Sequence, residues 1–261
     1  MAARARAELR PMLEQNCAAF NRRERALRDP VSFTYRYKDP RDAEVVGLVA
    51  ALLAFGRLAQ IMRSVENALG RLGPSPRRFI LETPPRGLRA ACAGFVHRTV
   101  DAGRLGHLLC GVRNVLEAHG SLEACFLAHD EPGAPTILPG LTGLAAELSG
   151  GGHGPSQLLA DPRRGSPCKR WNLYLRWMVR RDDVDPGLWP GVSPARLIVP
   201  LDAHMWRVCR GLGLTQRATC NMKAALEITA AFGAVCPEDP VRYDFSLMHA
   251  SVEGALRLDQ P

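Results

Sequence analysis

Lysine is nearly absent from this chain. Of the 34 basic residues among its 261, only Lys38, Lys169 and Lys223 are lysine. Arginine keeps its proton at any physiological pH, so only these three side chains can serve as amine nucleophiles. The eight cysteines (Cys17, Cys92, Cys110, Cys125, Cys168, Cys209, Cys220 and Cys236) contain no Cys-x-x-Cys pair. That argues against a zinc ribbon or a clustered iron–sulfur centre and leaves them as reduced, buried small hydrophobes. The seven histidines are scattered, with no pair at a convincing ligand spacing, so neither a metal nor a cofactor is expected. Aromatic residues make up 6%. No apolar run approaches the roughly 20 residues that span a bilayer. The basic opening MAARARAELRPMLEQNC lacks the apolar core of a secretory signal, so no membrane partner and a cytoplasmic location are expected. There is no internal repeat, no useful strand-like alternation and no P-loop. GRLGHLLCG has the glycines of one but not the lysine.

What is present is positive charge, +8 in total, which suits a polyanionic partner. The length allows one substantial core or two lobes sharing a cleft. Residues 1–29 read as an arginine-rich amphipathic helix with Leu9, Met12, Leu13, Cys17 and Phe20 on one face. Ser32 to Tyr37 reads as extended or loop. Asp39-Pro40 opens a helix as N-cap and N1, with Asp42 and Glu44 near its positive end, and it continues as the wholly apolar VVGLVAALLAFG. Prolines break residues 73–85. Residues 88–100 and 105–119 read as helices with Arg89, Arg98, Arg104 and Arg113 on solvated faces. Ser121 caps a short helix to Leu127, and LTGLAAELS is helical inside a loose region, 130–157, that contains GGGHG. Asn221 caps MKAALEITAAF, and Asp239-Pro240 opens the last helix.

The stretch from Gly165 to Leu214 carries the chemistry. Trp171, Tyr174, Leu175 and Met178 repeat at i, i+3, i+4, i+7, with Arg170, Asn172, Arg176, Arg180 and Arg181 opposite. Lys169 stands at the start of that helix after a Gly-Ser-Pro turn. In the connector, Asp182, Asp183 and Asp185 do not meet the EF-hand pattern and read as a surface loop. Pro200 and Asp202 precede a second helix that Gly211 is expected to close. A lysine and an aspartate, each at a helix start, are expected to converge. GLGLTQRATCNMK either touches phosphate through backbone N–H groups or is a plain turn between helices.

PLDAHMWRVCRGLGL resembles the aspartate-bearing segment of the helix-hairpin-helix DNA glycosylases, most closely the 8-oxoguanine glycosylases, in Pro200, Asp202, His204, Met205 and Trp206. GSPCK resembles a degenerate form of their Leu-Pro-Gly-x-Gly-x-Lys hairpin, with Gly165 at the first glycine, Pro167 at the second and Lys169 at the nucleophile. The whole chain also resembles a family of uncharacterised bacterial proteins sharing RYKDPRDAE, CKRWNLYLRWMVR and VPLD-x-H. The resemblance implies an all-α, two-lobed helix-hairpin-helix fold with a cleft. It would be one domain over 1–261, with lobes 60–200 and 1–59 plus 201–261. It implies a monomeric glycosylase/lyase acting on damaged double-stranded DNA, with Lys169 and Asp202 catalytic. Trp206, Trp171, Phe55 and Tyr243 are candidates to stack on a flipped base. His204 would orient the backbone or the aspartate, while Arg57, Gln60, Arg170 and Gly165 would meet substrate or DNA. The chemistry needs a neutral amine, and an ordinary lysine titrates near 10.4. Burial, neighbouring arginines and a helix start act against its proton, and the sequence supplies the last two. A monofunctional glycosylase, a non-catalytic nucleic-acid binder and a helical interaction protein remain open alternatives.

Overall fold

Asp39, Ser121, Asn221 and Asp202 each cap a helix with their side chains, so much of the architecture follows from local chemistry. The computed structural model describes residues 3–150 and 158–256, and these are mostly helical. In chain order the helices are α1 (Ala3–Phe20), α2 (Arg23–Ala26), α3 (Pro40–Leu53), α4 (Leu58–Gly70), α5 (Pro76–Glu82), α6 (Pro85–Ala91) and α7 (Ala102–His119). They continue with α8 (Leu122–His129), α9 (Leu138–Leu148), α10 (Lys169–Val179), α11 (Ala203–Gly211), α12 (Met222–Gly233) and α13 (Asp244–Val252). An antiparallel hairpin of two-residue strands, β1 (Val96–His97) and β2 (Val100–Asp101), lies within 88–100 and just after it, where continuous helix was expected. The GGGHG run lies largely outside the described residues. No helix among the described residues is long and apolar enough to cross a membrane.

The chain forms two compact units: Leu27–Arg164, and Met1–Ala26 together with Gly165–Pro261. α3 lies in the first of these units and α10 in the second.

In the continuous unit, α3 is the buried axis, and Val45 through Leu53 have almost no exposure. Its two acids cap other helices. The Asp42 carboxylate accepts from the Arg77 backbone N–H (2.7 Å) at the start of α5 and from Ser75 Oγ (3.0 Å). Glu44 accepts from the backbone N–H groups of Leu122 (3.1 Å) and Glu123 (3.3 Å) at the start of α8. Pro76 and Pro85 begin helices, because a ring locked near the helical φ costs nothing at N1. Residues 30–36 form a 3-10 turn, buried from Pro30 to Thr34, in a stretch expected to be extended or loop, after Asp29 accepts from the Val31 N–H. Arg113 is not simply solvated: its guanidinium donates to the carbonyls of Ile80, Leu81 and Thr83 at the end of α5.

In the discontinuous unit, the amphipathic face of α1 is buried at Leu9, Leu13, Cys17 and Phe20. This helix ends at Phe20 rather than near residue 29. α10 buries Trp171, Tyr174, Leu175, Trp177 and Met178. Its opposite face is buried as well, which corrects the expectation of a plainly polar side: Asn172 is 1%, Arg176 2% and Arg180 4% exposed. Buried guanidinium groups cost several kcal/mol each unless paired. Arg176 pairs with Asp185 (3.2 Å) and Asp244 (2.5 Å), and Arg180 pairs with Asp182 (2.8 Å), Asp185 and Asp239 (2.8 Å). The connector is therefore no plain surface loop, because Asp185 is fully buried. Burial pushes the Asp185 carboxyl up to about 6 against the pull of Arg176 and Arg180. The last helix begins at Asp244 rather than near Pro240. α11 closes in a Schellman motif: Leu214 N–H donates to Cys209 C=O, Gly213 N–H donates to Arg210 C=O, and Gly213 takes φ +68°. The closing glycine is thus Gly213, two residues beyond the expected Gly211.

Candidate functional site

Lys169 and Asp202 lie in the discontinuous unit, and the fold brings them together. Gly165 takes the left-handed φ of +79°, and its carbonyl accepts from the Met222 N–H (3.0 Å) at the start of α12. The Asn172 side-chain amide donates to the Pro167 carbonyl (3.0 Å), tying the turn to the first turn of α10. Cys168 then sits at φ +50°, an uncommon conformation for a residue with a Cβ, and it is buried. Lys169 follows as the first helical residue.

Asp202 is the N-cap of α11. Its Oδ1 accepts from the backbone N–H groups of His204 (2.9 Å) and Met205 (2.9 Å). That leaves Oδ2 for Lys169, whose Nζ donates to it at 2.6 Å. Both side chains are about one-third exposed, 36% and 37%. Burial pushes the Asp202 carboxyl up, but Lys169 and the two backbone donors prevail and hold it below its usual range. The helix start favours the carboxylate and opposes the ammonium, so Asp202 supplies the counter-charge that Lys169 needs there. The buried Asp244 feels both charges, and it is held by Arg176 two turns along α10. Burial and the negative charge of Asp202 raise the thiol pKa of the half-buried Cys220.

The other expected site residues divide sharply. His204 meets Asp202 through its backbone N–H, and no hydrogen bond is found for its buried Nε2 among the described residues. Trp206, one turn beyond Asp202, is partly exposed. Its ring lies 5.0 Å from the Arg210 guanidinium, and its Nε1 donates to the Arg217 carbonyl (3.3 Å). Trp171 and Tyr243 are core residues, each 1% exposed. Trp171 sits on the packed stripe of α10, and the Tyr243 hydroxyl donates to Glu14 (2.6 Å), so neither offers a ring face to solvent. Arg170 is half-buried, and burial lowers its pKa. Phe55, Arg57 and Gln60 belong to the continuous unit. There the Phe55 ring stands edge-on to His97 with centroids 4.7 Å apart, Arg57 is exposed, and Gln60 is half-exposed.

Sequence reasoning missed Cys168, Asp244 and Cys220. A cysteine carries no local signal for a left-handed backbone, and Asp244 and Cys220 approach the pair only through the fold. It also missed a second group in the continuous unit. Ligand atoms of His119, Cys125, His129 and Glu147 all lie within 4.8 Å of one another. The expectation of no ligand-like spacing overlooked Cys125 and His129, which share a face of α8 at i, i+4.

A protein-family profile matches residues 29–253. The chain belongs to that family, "Protein of unknown function (DUF2400)". The match spans the whole stretch from Gly165 to Leu214, so the lysine–aspartate pair lies within the family's own region. No curated protein and no solved structure matches the chain.

Proposed function

We propose that the chain is a DNA glycosylase with AP-lyase activity that removes an oxidised purine of the 8-oxoguanine type. Lys169 is the nucleophile and Asp202 its electrostatic partner. The observation that carries the reading is the 2.6 Å contact between two side chains 33 residues apart, each at a helix start and each still partly open to solvent. The resemblance of PLDAHMW to the glycosylase aspartate segment gives the pair its chemistry.

Breaking the bond between the base nitrogen and C1′ leaves positive charge on the sugar. A carboxylate fixed by two backbone N–H groups stabilises that charge without reorganising. The base departs with the bonding electrons as Lys169 Nζ bonds to C1′. The bonded nitrogen gives up one proton as the bond forms and passes the second to the ring oxygen as the sugar opens, giving an imine. Removal of a C2′ proton then forms C2′=C3′ as the C3′–O bond breaks and the 3′ phosphate leaves. Asp202 Oδ2, already hydrogen-bonded to Nζ, is the nearest acceptor for a proton leaving the amine. The target base must leave the duplex, at a cost of a few kcal/mol. Trp206 is the partly exposed aromatic one turn from Asp202 that can receive it.

Borohydride trapping on duplexes containing oxidised purines tests the proposal. The parent should yield a covalent protein–DNA adduct. Lys169→Arg keeps the charge but cannot form an imine, so it should bind DNA and give no adduct. Lys38→Arg and Lys223→Arg should trap as the parent does. An adduct that persists in Lys169→Arg refutes the assignment. The ion pair itself favours a second reading, because a neighbouring carboxylate stabilises the ammonium form. In that monofunctional variant Lys169 contacts phosphate and water attacks C1′. Base excision without any trapped adduct identifies it.

A further inference from the structure

Four side chains with the donor chemistry of a transition-metal site meet in the continuous unit. His119 ends α7, Cys125 and His129 lie one turn apart on α8, and Glu147 lies near the end of α9. His119 Nε2 is 2.9 Å from one carboxylate oxygen of Glu147, and His129 Nε2 is 2.6 Å from the other. Cys125 is fully buried beneath them, while His119 and Glu147 are half-buried and His129 is exposed. All four ligand atoms fall within 4.8 Å of one another. In a tetrahedral site with bonds of about 2.0–2.3 Å, ligand atoms stand roughly 3.3–3.7 Å apart. No separation therefore has to close by more than about 1.1–1.5 Å.

The backbone around the group is built for close approach. A Cβ on Gly143 of α9 would overlap the His129 side chain, one on Gly140 would overlap the Phe126 ring, and one on Gly111 of α7 would overlap the Leu148 carbonyl. Glycine at these three positions lets α7, α8 and α9 pack with almost no side-chain spacing, which draws donors from three helices to one point. An open concavity lined by His129, Thr142, Gly143 and Pro162 gives the group a route to solvent.

We propose that His119, Cys125, His129 and Glu147 bind one zinc-class divalent ion that staples the ends of α7, α8 and α9. Two imidazoles, one thiolate and one carboxylate form a borderline-soft set that fits zinc better than magnesium or calcium. Four protein ligands close the coordination shell, which makes the ion structural rather than catalytic. On binding, the Cys125 Sγ–H bond is replaced by an Sγ–metal bond and the thiol proton passes to solvent.

The test uses the full chain without an affinity tag, stripped by chelator and titrated with cobalt(II) as a spectroscopic stand-in for zinc. One equivalent should produce intense tetrahedral d–d bands together with a thiolate-to-cobalt charge-transfer band. Cys125→Ser should lose the charge-transfer band, and the exposed His129→Asn should weaken binding at least tenfold. Zinc should raise the melting temperature of the parent and have little effect on His129→Asn. Weak, octahedral-type absorption in the parent overturns the proposal. So does a charge-transfer band that survives in both variants, which would place the metal on other cysteines. His129→Asn keeps the test decisive even if Cys125→Ser fails to fold, because its side chain lies on the surface.

Discussion

Asp202 accepts hydrogen bonds from two directions, and each direction serves a different purpose. The backbone N–H groups of His204 and Met205 fix Oδ1 to α11, while Lys169 meets Oδ2. Asparagine caps a helix as well as aspartate does, so Asp202→Asn should separate the two roles. The variant should keep its helix cap and fold, less stable than the parent at neutral pH by the lost ion pair, yet lose base excision by orders of magnitude, read as nicking of a damaged duplex. Undiminished activity in Asp202→Asn would reduce the carboxylate to a cap. The pH dependence follows from the depressed carboxyl pKa. An acid whose folded pKa lies below its unfolded value of about 3.9 stabilises the fold above that value and loses the contribution as pH falls further. The melting temperatures of parent and Asp202→Asn should therefore converge as pH is lowered from neutrality toward about 3. A gap that widens on acidification would contradict this.

At the scale of elements, α10 does two jobs from opposite ends. Its first residue is Lys169, and its last turn and C-cap hold Arg176 and Arg180 amid four aspartates. Replacing Arg176 with Met leaves Asp185 and Asp244, both buried, short of a counter-charge. Removing one member of such a network typically costs about 3–5 kcal/mol. Urea denaturation of Arg176→Met should show a loss of that order, and a change below about 1 kcal/mol would mean that water or rearrangement compensates. This network also shows where sequence reading stops. The helices were legible because Asp39, Ser121, Asn221 and Asp202 act on backbone within three residues. The fate of Arg176 was not, because Asp244 lies 68 positions away and an arginine opposite an apolar stripe looks the same whether solvated or paired. The β1–β2 hairpin escaped notice because strands of two residues carry no period to detect.

For the molecule as a whole, net positive charge gives less guidance than it promised. Arg176 and Arg180 are internal and neutralised, so they cannot meet phosphates. Arg207 and Arg210 on α11 are exposed. If duplex DNA is the partner, affinity should fall with salt by about 0.9 log units per phosphate contact for each decade. Arg207→Ala should reduce that slope by about one contact. Binding that shows no salt dependence would remove nucleic acid from the proposal. The convergence of Lys169 and Asp202 was legible from two helix starts. The Glu147 group was only half legible, because Cys125 and His129 share one helix while their partners come from two others.

The order of synthesis adds a constraint of its own. α1 packs against α13, yet the ribosome makes them more than two hundred residues apart. At about 5–20 residues per second, the apolar stripe of Leu9, Leu13, Cys17 and Phe20 waits roughly ten to fifty seconds for its partner. The continuous unit has all its residues by Arg164 and can close during that wait. For that interval the apolar stripe of α1 lacks the partner that covers it in the finished fold, so its exposure is set by the speed of synthesis rather than by the stability of the native state.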